Sequence, residues 1–323
     1  MSKYLRTPQA RKQGLKILAY GEEGSGKSVF GLGFPKVAVI DAESKLGVYE
    51  SDQEYGRNLV AVADTSNYYE TNEVIKECVE NKVCDTLLID SETYIYEGVQ
   101  VSCMEVEEAR AKKKKSNIDD ATIAQRGYGK IKLNAHRLKL IKAQASAKGI
   151  TIISTAHKED IMQKIGEENV KIGEKPALRK NSKHDFDVIL RFYKGKDIGS
   201  GSMKYFAEVE KDATRNVQVG QIIENPTYEL FRTYIEKNSN LKTINATYDK
   251  NIEQNMQSLQ DEQQSFEEVL EEFQTLFKKL KSENLTKSAR IPMLLKEKGV
   301  NSINNPEHID AIKEIIAEMK KDN

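Results

Sequence analysis

Read as a pattern of apolar and polar positions, the first two-thirds of the chain alternates short hydrophobic runs with amphipathic stretches. Leu15–Tyr20, Lys36–Asp41, Asn58–Val62, Thr86–Asp90 and Ile150–Thr155 read as strands, most of them fully buried. Phe186–Phe192 and Lys204–Glu210 keep close to a two-residue period and extend the same sheet. Helices are predicted to begin at Ser28 and to run over Glu70–Asn81 and Ile131–Lys148. Gly33-Phe34-Pro35 stops the first of these and Gly149 caps the last. Strands alternating with helices from about residue 14 to residue 235 imply an α/β fold with a doubly wound, mostly parallel sheet. Such sheets hold ligands at the carboxyl ends of their strands.

The pattern changes near residue 238. Asn238–Gln264 is rich in Asn, Gln, Ser and Thr, poor in large apolar residues, and reads as a polar linker or a loosely held helix. Beyond it, Phe266–Leu280, Ile291–Lys298 (stopped by Gly299) and His308–Met319 are predicted as the helices of a small appendage. The expected division is therefore an α/β domain over 1–237, a linker over 238–264 and a helical domain over 265–323. No repeat is evident.

Composition narrows the classes. The 323 residues carry 50 basic and 50 acidic side chains, which excludes a globally basic nucleic-acid binder but not a local basic groove. Residues 242–323 hold 12 basic against 15 acidic residues, so the tail is not the place to look for that groove. Cys78, Cys84 and Cys103 contain no C-x-x-C pair and fit a reducing cytoplasm better than a disulfide framework or a zinc site. Met1–Arg6 has no apolar core, and no apolar run approaches the roughly 20 residues of a membrane span, so neither export signal nor membrane partner is expected.

Between the first strand and first helix stands Gly21-Glu22-Glu23-Gly24-Ser25-Gly26-Lys27-Ser28, which matches G-x-x-x-x-G-K-[ST] at every fixed position. Gly21, Gly24 and Gly26 let the backbone curl into a nest whose N–H groups, through Ser25 and on to Val29, face phosphate oxygens. Lys27 reaches the β/γ-phosphates, Ser28 ligates Mg²⁺, and the helix start favours the anion. The motif predicts nucleotide binding. Hydrolysis there also needs an acid for the Mg²⁺ shell, a base to orient water and a sensor of the γ-phosphate. Asp90, closing the strand from Thr86, stands where that acid is required. Two residues qualify as base: Glu43, just past the strand ending at Asp41, and Glu92, two residues past Asp90. Spacing alone does not separate them.

Gly21–Ser28, Ile40-Asp41-Ala42-Glu43, Leu88-Ile89-Asp90-Ser91 and Ile153-Ser154-Thr155-Ala156-His157 together resemble the RecA-like ATPase core. The resemblance spans about residues 12–235. It implies a RecA-like sheet, ATP and Mg²⁺ as cofactors, and Glu43 as the catalytic glutamate. His157 falls where the family carries a polar sensor, usually glutamine; the histidine is similar to that of phage-encoded RecA-like ATPases, among them the fourth class of Sak recombination proteins. Glu208–Asn216 resembles the strand end that projects a cation into a neighbouring subunit's site, with Lys211 or Arg215 in that role. The resemblance also places two DNA-binding loops. One runs from Arg110 through Lys112, Lys113, Lys114 and Lys115 to Arg126, Tyr128 and Lys130; the other runs over Lys158–Lys183 with Lys175, Arg179 and Lys180.

The expectation that follows is a cytoplasmic, homo-oligomeric ATPase, as ring or filament, that assembles on single-stranded DNA and promotes annealing or strand exchange. Two alternatives stay open: a nucleotide-gated annealing module with little turnover, and a replication-type motor or helicase loader. The tail is assigned either a contact to a single-strand-binding protein or control of assembly.

Overall fold

The computed structural model describes residues 7–197, 201–242, 248–283 and 285–321. Met1–Arg6, read above for an export signal, lie outside them. The elements are β1 (Lys16–Gly21), α1 (Lys27–Leu32), β2 (Val37–Asp41), α2 (Gly47–Glu50), β3 (Leu59–Ala63), α3 (Tyr68–Asn81), β4 (Thr86–Asp90), α4 (Glu92–Lys113) and α5 (Gln125–Ala147). They continue with β5 (Thr151–Ile165), β6 (Glu168–Pro176), β7 (Val188–Lys196), β8 (Met203–Asp212), β9 (Ile222–Glu224), α6 (Glu229–Ser239), α7 (Tyr248–Glu283), α8 (Leu285–Ser288), α9 (Ile291–Glu297) and α10 (Ile309–Lys321).

The strands form one sheet in the order β3-β2-β4-β5-β1-β7-β8-β9, with β6 paired to β5 alone. From β3 to β7 every pairing is parallel; β8, β9 and β6 join antiparallel. The mostly parallel α/β sheet is thus the one expected. Its strands read as continuous apolar runs because both faces are covered. Ile17, Val39, Leu88, Ile153 and Leu190 point to the face packed by Phe30 of α1 and Phe231 of α6. Their alternates, including Ile40, Leu87, Ile89 and Ile152, meet Ile75 of α3, Ile95 of α4 and Leu138 of α5. Gly31 lets α1 lie against β4, since a Cβ there would come within 2.7 Å of Leu88.

Two expectations change here. The stretch after Asp90, left without an element and then read as a loop through Lys130, is mostly helix: α4 carries Arg110, Lys112 and Lys113, and α5 carries Arg126, Tyr128 and Lys130. Lys114 is the C-cap residue of α4 and Lys115 follows at φ 54°. The second loop, 158–183, is mainly a β-ribbon, in which β5 runs on past the sheet to Ile165 and β6 returns beside it with Lys175 in its pairing.

Chain contacts divide the molecule into units over 1–246 and 247–323. Part of the segment read as a linker is helical, because α7 begins at Tyr248 and continues through the predicted Phe266–Leu280 helix. In the second unit Phe266, Phe273 and Leu280, seven residues apart on α7, pack with Leu294 of α9 and with Ile312, Ile315 and Met319 of α10. Among the described residues no helix is long and apolar enough to cross a membrane.

Candidate nucleotide site

Parallel pairing brings the carboxyl ends of β1, β2, β4 and β5 to one edge, and the predicted site residues meet there. Gly21 ends β1 at φ 150°, and a Cβ on it would lie 1.9 Å from the carbonyl oxygen of Phe192 in β7, so the turn out of the sheet requires glycine. Gly24 and Gly26 follow at φ 61° and 93°. Ser25 is buried and donates its hydroxyl to Glu22 O at 2.7 Å. Lys27 Nζ folds back onto Gly21 O (3.3 Å) and Glu22 O (2.5 Å). Val29 follows Ser28 in the first turn of α1.

Asp90 ends β4 and joins Ser91 through a cis peptide. It is hydrogen-bonded to Ser28 and accepts from Thr155 Oγ1. Burial raises its pKa against those hydrogen bonds, and the charges of Glu43 and Asp41 push the same way. Burial likewise lowers the pKa of Lys27, against the pull of Asp90 and Glu43. Each group is thus held where its own charge is disfavoured. A phosphate beside Lys27 and a divalent cation beside Asp90 would relieve both, so the residues present fit a Mg²⁺–nucleotide, with Ser28 and Asp90 as the protein's share of the metal shell.

Glu43 is positioned by a turn that Asp41 organises. The Asp41 carboxylate is buried and accepts from the backbone N–H groups of Glu43 (3.2 Å), Lys45 (3.2 Å) and Leu46 (2.7 Å). One oxygen of Glu43, Oε1, accepts from Ser91 Oγ and lies 2.8 Å from His157 Nε2; the other takes Lys45 Nζ at 2.8 Å. Burial alone would raise the Glu43 pKa, but the bonds from Lys45 and Ser91 and the charge of His157 hold it below the ordinary value. Glu92, the other candidate, does not join this group. It is ion-paired at 2.5 Å to Lys142, whose ammonium is buried over the Phe186 ring. His157 also donates its backbone N–H to Thr93 Oγ1, and its ring meets Tyr94 edge-on at 5.8 Å.

A family model described as an AAA domain matches residues 13–222. The chain belongs to that family. Membership makes it a P-loop ATPase, with nucleotide binding and hydrolysis as the shared chemistry of the AAA domain. No curated protein matches the chain.

The remaining predicted residues of this AAA-domain protein lie elsewhere. Lys211 and Arg215 are at the opposite end of the strands from the Walker loop: Lys211 pairs with Ile189, which pairs with Leu18, whereas Gly21 pairs with Phe192. Lys211 Nζ is bonded to Phe186 O at 2.5 Å. Arg215 stands exposed at φ 63° in a turn fastened by Asp212, with no side-chain partner among the described residues. Lys175 is ion-paired with Glu159 (2.9 Å) and Arg179 with Asp185. Lys112–Lys115, Arg126, Lys130 and Lys180 are exposed without a carboxylate partner among the described residues, and Tyr128 is also exposed.

Sequence reasoning missed two residues at the loop. Lys194, at the end of β7, places its ammonium 3.7 Å from where a Gly24 Cβ would stand. Lys158 bridges Glu22 of the loop (3.1 Å) and Glu174 of the ribbon (2.5 Å). Neither has a spacing signal, because each depends on which strands become neighbours.

Proposed function

We propose that the chain is a Mg²⁺-dependent, RecA-like ATPase that assembles on single-stranded DNA and promotes annealing or strand exchange, as the phage-encoded Sak-type proteins it resembles are expected to do. The observation that carries the hydrolytic part is the convergence of Glu43, Ser91 and His157 beside Lys27, Ser28 and Asp90.

Lys27 exchanges its two carbonyl partners for phosphate oxygens, and the loop N–H groups take the rest of the anion. Mg²⁺, when bound, neutralises phosphate charge. Glu43, kept ionised by its donors, orients the attacking water and accepts its proton. His157 shares the Oε1 oxygen of Glu43, so a change at the γ-phosphate is felt at the root of the β5–β6 ribbon. Arg215 is the better candidate than Lys211 for a neighbour's site, since it has no side-chain partner among the described residues and lies away from its own loop. The DNA part is supported by Lys112–Lys115, Arg126 and Lys130, which have no carboxylate partner among the described residues and whose charges are available to phosphates.

Turnover measured with and without single-stranded DNA across protein concentration tests both halves. Stimulation by DNA with a steep concentration dependence is expected. Turnover that ignores both variables would remove the DNA and trans-cation claims and leave a self-sufficient ATPase.

A further inference from the structure

Away from the Walker loop, the first turn of α3 and the facing sides of α4 and α5 enclose a cavity of about 430 Å³. Pockets for small ligands typically hold roughly 300–1,000 Å³. Gly98 of α4 helps open it, since the nearest atom to a Cβ there would be Ser66 O at 3.9 Å.

The lining has three kinds of surface. Val99 and Val106 give an apolar wall on α4. Tyr68 and Tyr69 stand edge to face with ring centroids 5.3 Å apart; Tyr69 is 66% exposed and Tyr68 only 6%. Finally, Arg126 and Lys130 of α5 line the cavity with no carboxylate partner among the described residues, and Arg110 joins them while sharing Glu107 at 2.6 Å. An inorganic anion would use the cations and waste the aromatic and apolar walls. A plain hydrophobe would bury unpaired cations at a cost. A flat ring carrying a phosphate uses all three.

We propose that this cavity binds one nucleotide unit, its phosphate on Arg126 and Lys130 and its base against Tyr69 and the apolar wall. The unit can come from a single strand, in which case the inference rests on the DNA reading above, or from a free nucleoside phosphate, in which case it does not.

Cys103 lines the cavity half-buried, whereas Cys78 and Cys84 are buried, so alkylation of Cys103 by a maleimide reports occupancy. The strand arm uses oligothymidylate with ATP on the parent chain. The free-nucleotide arm uses thymidine 5′-monophosphate on the Lys27→Ala chain, to silence the Walker loop. A probe at about ten times its Kd is expected to slow alkylation roughly tenfold. Arg126→Ala with Lys130→Ala should abolish that protection, and so should Gly98→Leu, which fills the cavity from a helical position. Thermal melts check that each variant is folded.

Protection by the oligonucleotide establishes the strand as the source. Protection by the monophosphate, with no oligonucleotide bound by fluorescence anisotropy, keeps the cavity's assignment and removes the DNA reading. An oligonucleotide that binds, leaves Cys103 reacting at its free rate and binds Gly98→Leu equally well overturns the inference while the DNA reading stands. Failure of both probes to protect overturns it as well.

Discussion

Two arms leave the sheet at its nucleotide end, the α4–α5 helical pair and the β5–β6 ribbon. Both are rich in lysine, yet they use it differently. On the ribbon, residues 158–176 hold four lysines against five acids, and three of the lysines are paired: Lys158 with Glu174, Lys171 with Asp160 and Glu174, Lys175 with Glu159. At the far end of α4 the four lysines 112–115 have no such partners among the described residues. A lysine already holding a carboxylate must give it up to hold a phosphate, so a count of lysines overstates what the ribbon offers to DNA. The arms also share a root. Ser91, just before α4, and His157, where β5 leaves the sheet, both address Glu43 Oε1.

The shared root gives the largest expected effect. Glu43→Gln should lower phosphate release by about 10²–10⁴-fold while nucleotide binding persists. Basal and DNA-stimulated rates should fall together; a loss confined to the stimulated rate would mean that the arms do not meet at this carboxylate. Next, replacing Lys112–Lys115 by alanine should weaken strand binding by about tenfold to a hundredfold near 0.1 M salt and reduce the log–log salt slope by about 3. Anisotropy titrations over a salt series measure both. The matching change on the ribbon, Lys171→Ala with Lys175→Ala, should alter affinity by less than about threefold. If the ribbon pair loses more than the α4 set, the contrast between the arms is inverted.

The smallest effect is a pH dependence confined to the ribbon. Hydrogen bonds from Lys158 and Lys171, joined by one from Arg191, lower the Glu174 pKa from 4.5 to about 2. A folded-state value below the unfolded one stabilises above the unfolded value and is lost as the pH falls through the folded value. The ribbon's amide protection should therefore weaken as the pH drops from 4.5 towards 2, and Glu174→Gln should remove that step. Hydrogen exchange across this range reads it out.

The sheet was legible because Ile17, Val39, Leu88 and Ile153 belong to runs too apolar to face water. The Walker loop was legible because each of its fixed residues answers to a backbone or charge requirement. Helix α4 was not, since Tyr94, Val101 and Val106 are exposed along it and break the stripe that would announce an amphipathic helix. The ribbon hid behind its own pairing, because Lys171 with Asp160 and Lys175 with Glu159 are cross-strand partners that a linear reading takes for a charged loop. Glu43 and Glu92 could not be told apart by spacing; what distinguishes their surroundings is Lys142, fifty residues downstream of Glu92 and bonded to it.

Arg215 and the Walker loop stand at opposite ends of the same strands. In a ring or filament, a contact that carries the arginine of one copy into the loop of the next is head-to-tail. Any open row built that way ends in one loop lacking a donor and one arginine lacking an acceptor. The two ends would then gain and lose subunits at different rates, with nucleotide turning over everywhere but at one terminus. On the proposed DNA strand such a row would carry a built-in arrow, set before any sequence in the DNA was read.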